Sequence, residues 1–181
     1  MISFKQFLAE QTALQFASIA HANQKRAGGA PYIIHPIAVA KNVEFYKQKS
    51  KNMQALLDAA HLHDTVEDTG TTLEQIGTMF GPLVASLVQE LTSDSDKVKM
   101  MGKDKYLAHK MSNMSNYGLV IKLADRLDNV KNISTARTPE WRARYKAETE
   151  HIIAVITQSR VLSPTHKRII DAIRLKLGEV K

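Results

Sequence analysis

The middle of the chain constrains the fold most, because residues 60–69 place two imidazoles and three carboxylates beside an apolar helical pattern. Residues 53–62 carry apolar side chains at helical spacing, so we predict a helix there with one buried face. Ionised carboxylates next to a buried face are costly unless a cation or hydrogen bonds compensate their charge. Because imidazole and carboxylate are common ligands of divalent metals, this stretch predicts a metal site at the end of a helix.

A second apolar run ends just as abruptly. Residues 119–124 are nearly all apolar, as in a buried helix, yet Asp125 follows at once and Asn129 lies four residues further along the same face. His35 precedes Pro36, which suits the first turn of another predicted helix. A mixed nitrogen and oxygen site for one divalent ion is therefore predicted at His35, His63, Asp64 and Asp125.

The rest of the chain also has helical patterns, and nothing in it resembles strand alternation or a hairpin turn, so we predict an all-α fold. Thr71 and Glu74 have the spacing of a capping box, and residues 92–103 are polar, as in a mobile surface loop. Predicted helices cover residues 3–22, 36–45, 53–62, 71–80, 82–91, 105–114, 118–130, 139–160 and 164–177. The last two carry no cluster of catalytic residue types and are predicted to be supporting helices, over about residues 139–178.

Composition is that of one globular domain, expected to span residues 1–181, with 44% hydrophobic and 24% charged residues. No apolar run approaches the roughly 18 residues of a membrane span, and residues 1–16 lack the pattern of a secretory signal. The chain has no cysteine, so any metal must be held by His and carboxylate. These features agree with a cytoplasmic location.

The net charge of +7 agrees with an anionic partner, namely nucleic acid, a membrane surface or a multiply phosphorylated small molecule. Basic residues are spread along the chain and do not alternate with aromatic residues, as they do where bases stack. We therefore expect a phosphorylated small molecule, and neither nucleic acid nor membrane, as the partner. Duplex DNA binding that persists at high salt would revive the nucleic-acid alternative. The sequence leaves homo-oligomerisation open.

Four ordered segments resemble the HD-domain metal-dependent phosphohydrolases, and within them the hydrolase domain of the RelA/SpoT alarmone enzymes. The segments are AHANQ (20–24), GAPYIIHPIAVA (29–40), LHDTVEDT (62–69) and VIKLADRLDN (120–129). The resemblance extends from about residue 16 to residue 135. It implies an HD-domain helical bundle around a central metal site, with manganese the usual ion, held by the four residues above. Four ordered motifs are far more specific than one His-Asp pair.

The same resemblance implies roles for further residues. Glu67 and Asp68 match the catalytic acidic pair that acts on the attacking water, and Asn129 matches a residue that contacts the ribose. Arg26 and Tyr32 match the loop around the guanine.

This chain departs from the family where a second cation often follows the arginine, because that position is Ala27. Lys25 is expected to compensate, or the affinity for guanine is lower. Further candidates for neutralising the diphosphates of a substrate are Lys103, Lys105, Lys122 and Arg126.

The resemblance implies a reaction: hydrolysis of guanosine 3′,5′-bis(diphosphate), or of its pentaphosphate relative, to GDP or GTP and pyrophosphate. Because 181 residues leave no room for the synthetase and regulatory domains of bifunctional members, a stand-alone small alarmone hydrolase is expected. One alternative is an HD phosphohydrolase for another nucleotide, such as a 5′-nucleotidase or an NADPH phosphatase. Another is a catalytically silent nucleotide-binding or scaffold protein, which the intact ligand positions disfavour.

Overall fold

A computed structural model describes residues 12–133 and 137–179. Within these residues the chain forms helices and a single isolated bridge, between Lys25 and Pro31, but no β-strand. The all-α prediction is confirmed. The helices are α1 (Ala13–Ala20), α2 (Ile34–Lys47), α3 (Met53–Leu62), α4 (Thr65–Asp68), α5 (Leu73–Phe80), α6 (Pro82–Leu91), α7 (Ser95–Met101), α8 (Lys103–Asn113), α9 (Asn116–Lys131), α10 (Pro139–Ser159) and α11 (Pro164–Glu179).

Helix α9 forms the centre of the fold. It packs against α2, α6 and α11, while α3 packs against α1, α2 and α6, and α10 packs against α8. Leu119, Ile121 and Leu123 are fully buried, which confirms the buried helix predicted from the apolar run. The charged residues Asp125 and Asp128 also lie in the buried part of α9. The chain thus brings carboxylates into its own core, where they need compensating partners.

Most predicted helices are confirmed with shifted ends. Thr138 caps α10 by accepting a hydrogen bond from Trp141 N, and Pro139 occupies the first turn, as predicted. Of the first predicted helix, residues 13–20 are helical, whereas residues 3–11 lie outside the described residues. No helix in the described ranges combines the length and the apolarity required to cross a bilayer.

The capping box before α5 lies one residue later than predicted. Thr72 caps the helix, its hydroxyl accepting from Gln75 N at 3.2 Å while Gln75 Oε1 accepts from Thr72 N at 2.9 Å. The Thr71 hydroxyl is instead hydrogen-bonded to Thr69 Oγ1 at 2.9 Å. The prediction of Thr71 with Glu74 was therefore wrong, because the hydroxyl of Thr71 already has a partner in the preceding turn.

The predicted loop at residues 92–103 contains a helix, α7. Asp94 Oδ1 accepts from Asp96 N and Lys97 N, both at 3.1 Å, and so caps its start. Gly102, with a φ of 81°, ends it. None of the α7 residues is buried. The helix was missed because it has only seven residues, of which none is buried, so the sequence shows no apolar stripe over several turns.

Candidate active site

The four predicted metal ligands come from three places in the helical bundle. His35 is the second residue of α2, His63 and Asp64 form the turn between α3 and α4, and Asp125 lies within α9. The Thr65 hydroxyl fixes that turn by donating to Leu62 O at 2.7 Å. Residues 90 positions apart in the chain therefore meet around one small space.

The ligand atoms lie close together. His63 Nε2 is 2.9 Å from Asp64 Oδ2, and His35 Nε2 is 3.1 Å from Asp125 Oδ1. His35 Nε2 is also 3.8 Å from Asp64 Oδ2, and His63 Nε2 is 4.0 Å from Asp125 Oδ1. One ligand atom each from His35, His63 and Asp64 lies within 4.8 Å of the others. Each imidazole thus faces both carboxylates.

The outer ring nitrogens orient both imidazoles. His63 Nδ1 donates to Ala60 O at 2.9 Å, and His35 Nδ1 donates to Asp128 Oδ2 at 2.6 Å. This leaves both Nε2 atoms directed into the cluster, as in metal sites where a carbonyl or carboxylate holds the far side of the ring. The sequence analysis did not select Asp128, although its place three residues after Asp125 puts it on the same side of α9.

The residues fit a divalent cation. His63 Nε2 is fully buried and forms no hydrogen bond with the described residues, although Asp64 Oδ2 is near. In the neutral ring, Nδ1 carries the proton, so the lone pair of Nε2 faces a carboxylate oxygen. The two electron-rich atoms repel each other unless a proton or a metal ion lies between them. Imidazole and carboxylate accept several transition metals, so these residues do not select manganese by themselves.

Charges within the cluster shift the pKa of each ligand. Burial opposes protonation of His35, yet hydrogen bonds to Asp125 and Asp128 raise its pKa to about 9. The pKa of His63 is also raised, since Asp64 outweighs the effect of burial. Burial would raise the pKa of Asp125, but Lys122, whose Nζ lies 2.9 Å from Asp125 Oδ2, keeps it well below its usual range. The carboxylates thus favour a positive charge at both Nε2 atoms, supplied by a proton or by a metal ion.

Three of the four predicted ligands, His35, Asp64 and Asp125, line a cleft of about 850 Å³, whereas His63 is buried and is not part of the lining. The residues predicted to act on substrate or water that line the cleft are Lys25, Arg26, Tyr32, Glu67, Lys103, Lys122, Arg126 and Asn129. Asp68 lies next to the cleft but is not part of its lining. The fold thus brings together nearly all residues that the motifs selected.

Glu67 and Asp68 are exposed side chains with one anchoring contact each among the described residues. Glu67 Oε2 accepts from Ser93 N at 2.8 Å. Asp68 Oδ2 accepts from Gln24 Nε2 at 2.9 Å, and Gln24 Oε1 lies 2.7 Å from His21 Nδ1. Both carboxylates are free enough of internal partners to meet water or substrate, and their catalytic role stays a prediction.

Of the predicted nucleotide contacts, Asn129 and Tyr32 donate hydrogen bonds to predicted ligands, and Arg26 is connected to them through Asp128 and Asn129. Arg26 Nη1 donates to Asp128 Oδ2 at 2.8 Å, and its Nη2 donates to Asn129 Oδ1 at 3.3 Å. Asn129 Nδ2 donates to Asp125 Oδ1 at 2.6 Å, and the Tyr32 hydroxyl donates to Asp64 Oδ2. Hydrogen bonds therefore connect this side of the cleft directly to the predicted ligands.

A family model described as the HD domain matches residues 13–160. The chain belongs to the HD-domain family. Guanosine-3′,5′-bis(diphosphate) 3′-pyrophosphohydrolase MESH1 of Homo sapiens is 32% identical over 164 residues, which cover 90% of this chain and 89% of that protein. MESH1 of Danio rerio is 35% identical, with 72% of each chain covered. The resemblance found in the sequence is confirmed.

Two further comparisons concern length and fold. An Aquifex aeolicus guanosine-3′,5′-bis(diphosphate) 3′-pyrophosphohydrolase is 39% identical over 80% of this chain, but the chain spans only 20% of that relative. A solved structure described as a metazoan ortholog of SpoT that hydrolyses ppGpp has a TM-score of 0.77 and 28% identity. Coverage there is 92% of this chain and 93% of the other. The HD-domain fold is therefore shared along nearly the whole chain.

The cations proposed for the diphosphates occupy three different environments in this HD domain. Lys103 lines the cleft at the first position of α8. Lys122 and Arg126 also line it but are held by internal partners, Asp125 for Lys122 and Glu148, 2.8 Å away, for Arg126. Lys105 lies outside the cleft and lines a separate groove with His109 and His151.

Helix α10 was predicted only to support the fold, but its side chains also line the cleft. Trp141 and Tyr145 line the cleft and stack on each other, with ring centroids 5.1 Å apart. The guanidinium of Arg137 lies 4.8 Å from the Trp141 ring, and that of Arg126 lies 4.8 Å from the Tyr145 ring. Trp141 and Tyr145 lie four residues apart on one face of α10, but that spacing alone does not tell which neighbour the face meets.

Proposed function

We propose that this HD domain is a metal-dependent hydrolase that removes the 3′-diphosphate of guanosine 3′,5′-bis(diphosphate) or its pentaphosphate relative. The products are GDP or GTP and pyrophosphate. The observation that carries this proposal is the cluster of His35, His63, Asp64 and Asp125 at the wall of a cleft that is also lined by cationic side chains. The named activities of relatives at 32–39% identity support this substrate. A cytoplasmic location is part of the proposal.

The metal would be held by both Nε2 atoms and by carboxylate oxygens of Asp64 and Asp125. Manganese is the proposed ion. When bound, it supplies Lewis-acid activation of water and of a phosphoryl oxygen at neutral pH. The Asp128 carboxylate and the Ala60 carbonyl hold the imidazoles in the orientation that this binding requires.

Proton transfer falls to the acidic pair. Glu67 projects into the cleft, and its Oε1 is not engaged by the Ser93 amide that binds Oε2. Glu67 therefore orients the attacking water and accepts its proton, as a general base within hydrogen-bonding reach does. Asp68, held by Gln24, lies at the neighbouring edge and assists in moving that proton away.

The substrate carries two diphosphates, so it needs positive charge beyond the metal. Lys25 and Lys103 are exposed cations at the cleft and can reach phosphate oxygens without breaking an internal ion pair. Arg26 and Asn129 line the cleft beside the proposed ligands and are the proposed contacts to the nucleoside. Trp141 adds an aromatic wall at the same opening.

The test uses the full chain purified without metal and then supplied with manganese. Guanosine 3′,5′-bis(diphosphate) is incubated with it, and the products are separated by ion-exchange chromatography. Metal-dependent release of GDP and pyrophosphate in equal amounts is expected. NADPH and nucleoside 5′-monophosphates are assayed in parallel. A much higher kcat/KM for one of these than for guanosine 3′,5′-bis(diphosphate) would identify that nucleotide as the substrate instead.

A further inference from the structure

Lys110, which is not among the predicted catalytic residues, binds the backbone segment that holds Glu67. Lys110 of α8 is half-buried, and its ammonium donates to two main-chain carbonyls, Leu91 O at 3.2 Å and Thr92 O. Within residues 12–133 and 137–179, no carboxylate oxygen lies within 4.0 Å of its Nζ. An ammonium removed from water is normally paired with a carboxylate, so an ammonium that binds only main-chain carbonyls needs an explanation.

The reason is the peptide group that the ammonium holds. The carbonyl of Thr92 and the N–H of Ser93 belong to one planar trans peptide, so they point in opposite directions. Lys110 binds the carbonyl end, and the N–H end donates to Glu67 Oε2 at 2.8 Å. A rotation of this peptide plane would break both contacts together. The direction of the Ser93 N–H is therefore coupled to the ammonium of Lys110.

Tyr106, a second side chain of α8, binds the same backbone segment one residue after Ser93. Asp94 N donates to the hydroxyl of Tyr106 at 2.8 Å, and the Lys110 ammonium lies 5.6 Å from the Tyr106 ring centroid. Together, Lys110 and Tyr106 fix the backbone immediately before and after Ser93. Glu67 itself is exposed, so packing does not select its rotamer.

The ammonium is retained although the fold disfavours its charge. Burial and the nearby positive charge of Lys122 lower the pKa of Lys110 to about 8, and Glu67, Asp94 and Glu90 offset this only in part. A lysine with a lowered pKa in the folded state destabilises the fold while it is charged. Groups that are costly to stability yet present beside a site commonly have a functional role.

We propose that Lys110 is a positioning residue that orients the Glu67 carboxylate through the Thr92–Ser93 peptide. This inference rests on the proposed hydrolase function and on Glu67 as its general base. Without the ammonium, the peptide can rotate and the carboxylate loses its anchor. Substrate and metal contacts are untouched, so the loss falls on the chemical step.

The central variant is Lys110→Met, which keeps most of the alkyl chain and removes the donors. We expect kcat to fall about tenfold while KM and manganese stoichiometry stay unchanged. Lys110→Arg restores a cationic donor and should recover most of kcat. Tyr106→Phe, which removes the acceptor for Asp94 N, should lower kcat by a smaller factor. Lys167→Met, at an exposed position of α11, is the matched control and should behave as the wild type.

A measurement that needs no turnover separates this inference from the proposed function. Hydrogen exchange of the Ser93 amide, followed by NMR against Val88 N–H in α6, should be about tenfold faster in Lys110→Met. Unchanged Ser93 exchange would overturn the inference, as would an unchanged kcat or a lost kcat that Lys110→Arg fails to recover. If the wild type does not hydrolyse the alarmone, the proposed function fails, while Ser93 exchange still decides whether Lys110 holds the peptide.

Discussion

The two ends of the cleft are built in different ways. At the metal end, His35, His63 and Asp125 are buried, and each has a further protein contact that fixes its side chain. The part of the cleft lining with the exposed cations Lys25 and Lys103 is called here the outer end. The metal end is therefore arranged before any ligand arrives, whereas the outer cations must be ordered when the substrate binds.

This difference has an energetic consequence. Removing a side chain from the buried cluster leaves its partners uncompensated and costs far more than removing an exposed charge that water and salt already screen. Substitutions at the metal end should therefore abolish metal binding and turnover, while those at the outer end should change mainly KM. The following predictions test this contrast from its largest expected effect to its smallest.

The largest effect is expected for Asp64→Ala. This carboxylate lies 2.9 Å from His63 Nε2 and accepts from Tyr32, so its removal takes away a ligand and leaves both groups without their partner. Turnover should fall at least about 10³-fold and manganese should no longer be retained. Elemental analysis and product release measure the two properties, and an active Asp64→Ala enzyme would contradict the ligand assignment.

A smaller effect is expected for Asp128→Asn, which keeps the shape but removes the charge beside His35 Nδ1 and Arg26. Manganese affinity should fall by about 10–100-fold, the range usual for the outer partner of a metal-bound histidine. Isothermal titration calorimetry measures the manganese affinity, and Asp96→Asn, at an exposed position of α7, provides the control. An affinity equal to that of the wild type would show that His35 is oriented by other contacts.

At the outer end, Lys103→Met and Lys105→Met form a matched pair. Lys103 lines the cleft and Lys105 lines the separate groove, so KM should rise about threefold for the first, more at low salt, and stay constant for the second. Steady-state kinetics at two salt concentrations decide between them. Equal effects of both substitutions would place Lys105 on the path of the substrate.

The last prediction concerns stability rather than catalysis, namely a change of the free energy of unfolding with pH. Lys110 has a pKa of about 8 in the fold against 10.5 ordinarily, so the unfolded chain binds more protons between these values. The destabilisation is fully present below about pH 8, and the free energy of unfolding should rise from there towards pH 10.5. Denaturant titrations of the wild type and Lys110→Met test this, because only the wild type should show this part of the rise.

The proposed ligands could be selected from the sequence because each lies at or near the end of an apolar run within a short, ordered motif, and their role as ligands stays a prediction. Asp128 was not selected, because its contact with His35 Nδ1 becomes visible only when α2 packs against α9. Lys103 and Lys105 differ by about 200° around a helix, and without the start of α8 the sequence does not tell which faces the cleft. The α10 wall and the peptide held by Lys110 depend on helix packing and on main-chain contacts that leave no motif.

The most direct test of the central claim is a stoichiometric metal titration of chelator-treated protein with guanosine 3′,5′-bis(diphosphate) as substrate. Hydrolysis should be absent without metal, rise in proportion to added manganese and level off at one ion per chain. The same titration of Asp64→Ala should remain flat. Full hydrolysis by metal-free protein in excess chelator, or equal recovery in Asp64→Ala, would contradict a reaction that depends on the His35, His63, Asp64 and Asp125 cluster.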